Sequence, residues 1–298
     1  MDAKACLRSM RLRTLPLSLA GITLGVFLAA GERSVSPLTV LLLALTTVCL
    51  QILSNLSNEL GDTLHGTDRS DRQGIHYSIQ DGLMSVPEMK RLIGFFASLS
   101  CLFGFGMVWR AFGTVFAPLP LAFLVLGAAA VWAAMHYTLG RNPYGYRGLG
   151  DLFVFLFFGL ATVCGGYYLT GLAWSWRILL PASAIGCFSV AVLNVNNIRD
   201  MKSDAATRTT VALRLGERRA RVYQTDLVAL GWALMTAFCL LPPVRPWRFL
   251  YVLTLPAFLL HLKGVWTLRD RALDPMLPML VLSSFAFALL GGLGFLLS

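Results

Sequence analysis

The chain alternates long apolar runs with short polar connectors. Windows free of Asp, Glu, Lys and Arg cover residues 14–31, 34–58, 92–109, 111–140, 152–176, 178–198, 227–244 and 275–298. A helix of about 20 apolar residues crosses a bilayer core. The run at 249–262 is shorter and contains Pro256, but Gly264, Val265 and Trp266 extend it, so it counts as a further span. The pattern predicts an all-α polytopic membrane protein of nine transmembrane helices bundled around a central cavity. Residues 1–298 are expected to form a single membrane-embedded domain, with polar loops at 59–91, 139–151 and 199–226.

Composition agrees: 56% of the 298 residues are hydrophobic and 13% are charged, about half the charged share of soluble proteins. The net charge of +10 raises the question of a nucleic-acid partner. With nine spans and a cytoplasmic N-terminus, the outer segments carry only Arg33, Arg110, Arg177, Arg245 and Arg248. The remaining Lys and Arg fall on the inner side, as the positive-inside rule requires. Topology therefore accounts for the charge, and no nucleic acid is expected. The expected location is the inner, cytoplasmic membrane of a cell, in lipid. The six cysteines show no CxxC spacing, so neither a disulfide framework nor a zinc site is expected.

The acidic residues change the picture. SNLSNELGDTLHGTD ends one apolar run and LNVNNIRDMKSD ends another. Both lie at the cytoplasmic edge of a span, and both contain an N-x-x-N step followed by acids, which hints at an internal duplication. At about 100° per residue, Asn55, Asn58 and Asp62 share one helix face. Asn197, Asp200 and Asp204 share another at the same spacing. A single acid at a helix end commonly just caps the helix or meets headgroups. Two matched clusters of Asn and Asp point instead to one site between two helices.

Carboxylate and amide oxygens are hard ligands. Mg²⁺ takes one or two carboxylates and completes its shell with water and substrate phosphates. Such a pair of clusters suits Mg²⁺ bridged by a diphosphate. Arg13, Arg141, Arg147, Arg199 and Arg208 suit a polyanion, and Arg13, at the start of the first span, is the foremost of them. A transporter or divalent-cation channel is the competing class. Transporters place ionisable groups near the bilayer midplane, whereas here the span centres carry no charge. A structural or assembly protein gives no reason for two matched clusters.

At this point the chain resembles a known family. NLSNELGDTLHGTD is similar to the first aspartate-rich motif of the UbiA-type intramembrane prenyltransferases, and NNIRDMKSDAATRTTVALRLG to the second. GRNPYGYRGLGDLFVFLFFG resembles the branch of that family acting on 1,4-dihydroxy-2-naphthoate in menaquinone biosynthesis, and MRLRTLPLSLAG is also similar. The resemblance implies a helical bundle with a cavity open to lipid and Mg²⁺ between the two motifs. Asn58, Asp62, Asn197, Asp200 and Asp204 match the metal-binding positions, and Glu59 and Asp68 are further candidate ligands that depart from the family pattern. The resemblance implies a diphosphate contact from Arg13 and a further one from the loop holding Arg141 and Arg147, and Asn55 and Lys90 are additional candidates. Two departures stand out. The family's usual Asn-Asp reads Asn58-Glu59 here, which moves the carboxylate oxygens by about 1.5 Å, a bond length. The acid expected four residues past Asp62 is Gly66, with Asp68 two residues later.

The implied reaction is electrophilic aromatic substitution. A polyprenyl diphosphate loses its diphosphate, and the ring of 1,4-dihydroxy-2-naphthoate captures the allylic carbon with loss of CO₂. Another acceptor such as 4-hydroxybenzoate is the alternative within the family. Tyr144 and Tyr146 are expected beside the site, with Asp62, Asp200 and Asp204 in catalysis. Asp151 orients the loop or handles a proton. Phe153, Phe155, Phe157, Phe158, Tyr167 and Tyr168 are candidate walls for a cation. The loop at 60–90 is a candidate cover over the diphosphate.

Overall fold

A computed structural model describes residues 3–66, 78–171 and 173–298. The helices are α1 (Ala3–Met10), α2 (Leu15–Ala30), α3 (Pro37–Leu64), α4 (Val86–Phe112), α5 (Pro118–His136), α6 (Gly150–Gly171), α7 (Leu179–Arg199), α8 (Met201–Asp204), α9 (Val211–Leu215), α10 (Glu217–Cys239), α11 (Leu255–Thr267) and α12 (Met276–Leu296). Among the described residues, eight stretches are long and apolar enough to cross a membrane: Ala3–Ala30, Pro37–Leu64, Val86–Phe112, Pro118–His136, Gly150–Gly171, Trp176–Arg199, Pro246–Thr267 and Asp270–Leu296. The chain is a multi-span membrane protein. The remaining expected span, 227–244, begins inside α10, whose first turns carry Glu217, Arg218, Arg219, Arg221 and Asp226. This run is not among the eight.

Local sequence explains where the helices start. Ser36 caps α3 by accepting from Thr39 N, followed by Pro37 in the first turn. Ser85 and Glu88 cap α4 reciprocally, a capping box that satisfies two orphan N–H groups. α6 contains a π-helical segment, Phe155–Ala161. There Gly159 lies so close to α7 that a Cβ would sit 2.5 Å from Gly186 Cα.

Packing follows one scheme in both halves. Each motif-bearing helix packs most extensively on the helix that follows its polar loop, α3 on α4 and α7 on α10. α2 packs against α6 and α12. Between α7, α10, α11 and α12 sits a cluster of buried rings, Phe188, Phe258 and Phe287, joined by Trp232 and Tyr251. A buried polar chain crosses the same four helices: Asn194 Nδ2 donates to Gln224 Oε1 (2.8 Å), Gln224 Nε2 meets His261 Nε2 (3.0 Å), and His261 Nδ1 meets Met276 O (3.0 Å). Asn194 therefore joins helices together and is not part of the site.

The loops expected on one side do meet. Thr209 N donates to Tyr146 O (2.9 Å), and Arg214 Nη2 donates to Arg147 O (3.0 Å). All six cysteines are unbridged.

Candidate active site

On α3, Asn58 and Asp62 lie one turn apart and face a common polar cavity of about 280 Å³. Thr138, just past α5, donates to Ser57 O (2.9 Å) and Asn58 Oδ1 (3.3 Å). This contact needs Gly61. A Cβ there would lie 2.4 Å from Thr138 Oγ1 and 2.6 Å from its carbonyl oxygen. Gly61→Ala is therefore expected to destabilise the fold by about 1–3 kcal/mol and to lower turnover by moving Asn58. Thermal unfolding in detergent beside an activity assay checks both, and an unaltered midpoint would contradict the close-approach argument.

The second motif does not form one continuous helix. α7 ends at Arg199, and Asp200 (φ −94, ψ 7) separates it from α8. The expected shared face of Asn197, Asp200 and Asp204 is therefore broken at its middle member. Asn197 lines the polar cavity. Asp200 is fully buried against Arg199, which donates to Oδ1 (2.8 Å) and Oδ2 (2.6 Å). Arg199 also reaches Asp274 (2.9 Å) and Asn196 (2.9 Å), and all three line the polar cavity. Asp200 thus acts on the cavity wall through Arg199.

Arg208 joins the two motifs. Its guanidinium lies 3.0 Å from Asp204 Oδ1 and 3.9 Å from Asp62 Oδ1. Tyr146 donates to Asp62 Oδ1 (2.7 Å), and Arg208 stacks over the Tyr146 ring at 5.3 Å. Burial alone would lower the Arg208 pKa, but Asp62 and Asp204 beside it raise it above the ordinary arginine value. Its Nε and Nη2 are buried without a hydrogen bond: Nε lies off line from Asp204, and Nη2 is too far from Asp62 to donate to it. Two buried N–H groups on the wall of a polar cavity suit the oxygens of an anion.

The N-terminal turn supplies further cations. Arg11 and Arg13 both line the cavity. Arg11 has a left-handed backbone (φ 50), which costs roughly 1 kcal/mol for a residue with a Cβ. Asn55 holds this turn, since its Nδ2 donates to Met10 O (2.8 Å) and Thr14 Oγ1 (3.0 Å). The Asn55 amide thus anchors the arginine turn.

Several other candidates are drawn away. Glu59 is fully buried on the far side of α3, where Oε1 accepts from Ile79 N (3.0 Å). One residue after Asn58 means a rotation of about 100°, which takes it out of the cavity and makes it a loop anchor. Asp68 lies outside the described residues, as does much of the 60–90 loop. Lys90, Arg141 and Arg147 are exposed, and none lines the polar cavity or the apolar one beside it. Lys90→Ala and Arg141→Ala are expected to leave KM for the diphosphate substrate within about twofold, since exposed charges contribute little. Arg11→Ala should raise it at least tenfold by removing a charge-assisted contact. Steady-state kinetics on the three variants would reverse this assignment if Lys90 or Arg141 proved the costly one. Asp151 accepts from the Tyr223 hydroxyl (3.0 Å), tying α6 to α10.

A second, mainly apolar cavity of about 310 Å³ adjoins the first, between α2, α3, α5 and α6. Tyr144, Phe153 and Phe157 form one wall, stacked at 4.0 Å and 6.2 Å between ring centroids. Tyr144 donates to Ala133 O (2.8 Å), so its hydroxyl is committed to structure. Phe153, Phe157 and Ala161 recur at a spacing of four, which places them on one helix face, and all three line this cavity. Phe155 packs instead on Gly186, and Tyr167 lies deep in the core. Tyr137 belongs to both cavities. Burial pushes its phenol well above the usual range, so it is neutral. Arg11, Tyr137, Thr138 and Asp274 were not picked out from sequence. Only the Arg11 charge beside Arg13 could have signalled its role.

The donor set fits Mg²⁺. Asn58, Asp62, Asn197 and Asp204 offer hard oxygens on or beside one cavity. No group of three or more His, Cys, Asp or Glu that could hold a metal occurs among the described residues. Such a set suits an ion shared with substrate phosphates better than an all-protein cage.

Fold and site together define a multi-span helical membrane protein in which a polar, arginine-bearing cavity adjoins an apolar one. The chain belongs to the UbiA prenyltransferase family, whose model matches residues 18–283. It is 39% identical to the 1,4-dihydroxy-2-naphthoate octaprenyltransferase of Escherichia coli (strain K12), over 99% of this chain and 96% of that protein. It is 33% identical to the protein of the same name from Mycobacterium tuberculosis (strain ATCC 25618 / H37Rv), over 96% and 95%. The fold matches a UbiA homolog from Aeropyrum pernix K1 with a TM-score of 0.73 at 16% identity, covering 96% of this chain and 98% of that one. It also matches a UbiA homolog from Archaeoglobus fulgidus bound to GPP and Mg²⁺, with a TM-score of 0.67 at 18% identity, covering 99% and 100%.

Proposed function

We propose that this protein transfers a polyprenyl group from polyprenyl diphosphate to 1,4-dihydroxy-2-naphthoate, releasing diphosphate and CO₂ and giving demethylmenaquinone. The observation that carries the reading is the junction of the two cavities. A polar one holds groups from both aspartate motifs, and it opens into an apolar one of similar volume. That pairing suits an ester with a charged head and a hydrocarbon tail. The relatives' shared name supports the naphthoate as acceptor. The whole chain acts as one unit in the inner membrane, with the motif loops on the cytoplasmic side where the basic residues concentrate.

Asn58, Asp62, Asn197 and Asp204 would hold Mg²⁺, which when bound neutralises the diphosphate and improves it as a leaving group. Arg208, Arg11 and Arg13 bind the non-bridging phosphate oxygens. Arg199, held by Asp200 and Asp274, forms part of the same wall with its charge offset by those two carboxylates. Tyr146 orients Asp62 through its hydroxyl. The stacked rings of Tyr144, Phe153 and Phe157 line the chamber that takes the chain and the flat acceptor, and exclude water from it. The ring carbon bearing the carboxylate bonds to the allylic carbon, and the carboxylate then leaves as CO₂ with its bonding pair returned to the ring.

Purified protein with Mg²⁺, a polyprenyl diphosphate and 1,4-dihydroxy-2-naphthoate should yield diphosphate, CO₂ and prenylated naphthoquinol. Chelation with EDTA should stop all three, and restored Mg²⁺ should recover them. Product from 4-hydroxybenzoate but not from the naphthoate would reject the acceptor.

A further inference from the structure

The two cavities share six lining residues: Gln51, Asn58, Tyr137, Val154, Phe158 and Leu193. A diphosphate ester with its head beside Asn58, Asn197 and Arg208 and its chain in the apolar cavity must thread this neck. The carbon–oxygen bond that breaks, at the junction of head and chain, therefore lies within it.

The neck's polar side chains are already engaged. Gln51 Nε2 donates to Thr14 Oγ1 and Asn55 Oδ1 (both 3.1 Å), and its Oε1 accepts from Ser18. Asn58 Oδ1 accepts from Thr138. Val154 and Leu193 offer only alkyl carbon. Two aromatic rings remain, those of Tyr137 and Phe158.

The Tyr137 ring is seated by two glycines of the PYGYRGLGD stretch. A Cβ on Gly145 would lie 3.0 Å from the ring's Cε2 and Cζ and 2.5 Å from the Tyr137 carbonyl oxygen. A Cβ on Gly150 would lie 3.0 Å from the hydroxyl oxygen and 3.2 Å from Leu193 Cδ2. Neither glycine has a positive φ, unlike Gly148 in the same stretch. Space for the ring, and not backbone conformation, is what these two positions need. Gly145 N also donates to Tyr137 O (3.0 Å), and the Tyr144 ring meets Tyr137 edge-on at 5.4 Å.

We propose that the Tyr137 ring, together with Phe158, covers the reacting allylic carbon in the neck, and that Gly145 and Gly150 are positioning residues that hold the ring there. This rests on the prenyl transfer proposed above. When the carbon–oxygen bond breaks, its electron pair leaves with the diphosphate. The allylic carbon then bonds to the acceptor ring, whose π pair forms the new C–C bond, or to a water oxygen. The second route forms a C–O bond, releases a proton to solvent and gives a polyprenol. An aromatic face against the carbon excludes water and attracts the cation through its quadrupole. The glycine-rich stretch thereby governs which nucleophile captures the chain.

The test measures the ratio of polyprenol to prenylated product from labelled polyprenyl diphosphate, with Mg²⁺ and 1,4-dihydroxy-2-naphthoate. Tyr137→Leu should raise that ratio about tenfold, because the loss of the ring opens the neck to water, and about 1.4 kcal/mol of difference between the two capture barriers gives that factor. Tyr137→Phe, which keeps the ring, should leave the ratio low. Gly145→Ala and Gly150→Ala should shift it in the direction of Tyr137→Leu, and either one suffices should the other fail to fold by thermal unfolding. A change in the ratio is a readout that a purely structural role would not give. An unchanged ratio in Tyr137→Leu beside normal wild-type transfer overturns the role of Tyr137 and leaves the functional reading intact. Equal ratios in the Phe and Leu variants assign the effect to the hydroxyl and overturn the ring proposal. No transfer by the wild-type protein to any aromatic acceptor overturns both.

Discussion

Asp62→Asn is expected to lower prenyl transfer by about 10³-fold, some 4 kcal/mol of transition-state stabilisation, while the protein stays folded. Asparagine keeps the shape of the side chain, and its carbonyl oxygen still accepts from the Tyr146 hydroxyl, which lies 2.7 Å from Asp62 Oδ1. The local hydrogen bonding therefore survives. What disappears is a buried negative charge on the cavity wall, opposite Arg208 and beside Asn58. With it goes the carboxylate best placed to hold Mg²⁺ against a diphosphate. Turnover with labelled substrate and the unfolding midpoint in detergent separate the two effects. Near-normal turnover in this variant would remove Asp62 from the site.

Arg208→Met should cost about 10²- to 10³-fold in kcat/KM, the loss usual when a preorganised donor to developing charge is removed. The leaving diphosphate gains negative charge as the carbon–oxygen bond breaks, and the buried N–H groups of Arg208 face the cavity that would hold it. Stability should fall as well. Asp62 and Asp204 would lose the guanidinium they share at 3.9 Å and 3.0 Å, and breaking a buried pair from one side typically costs about 3–5 kcal/mol. Arg208→Lys should recover most of the stability but only part of the rate, because a single ammonium cannot span both carboxylates and a phosphate. Equal rates for the Arg208→Lys variant and the wild-type protein would show that charge alone matters.

Much of the site could be read along the chain, for a physical reason. Asn58 and Asp62 lie on one uninterrupted helix, so their spacing translates into a shared face. The second motif was less transparent. Periodicity placed Asn197, Asp200 and Asp204 on one face, but α7 stops at Arg199 and the chain turns at Asp200. Arg199, one residue before, then takes both oxygens of that carboxylate. Arginines were the hardest to assign. Arg13, Arg141, Arg147 and Arg208 look alike as basic residues at a membrane edge, where topology alone explains any of them. Which of them turn inward depends on contacts between loops far apart in sequence, such as Thr209 N to Tyr146 O.

Length and polarity of the apolar runs settled that this is a multi-span helical membrane protein, because a bilayer enforces both on every segment. The chemistry of the two Asn/Asp clusters was likewise local, since hard oxygens at helix ends are a property of residue type and spacing. Tertiary structure decided the rest. It put the cluster groups around one cavity, turned Glu59 and Asn194 away, and chose Arg11 and Arg208 over Arg141 and Arg147. It also placed Tyr137 at the junction of polar and apolar spaces, seated by Gly145 and Gly150. Such placements arise from helix packing and loop contacts between residues distant in sequence, for which no periodicity along a single helix carries a signal.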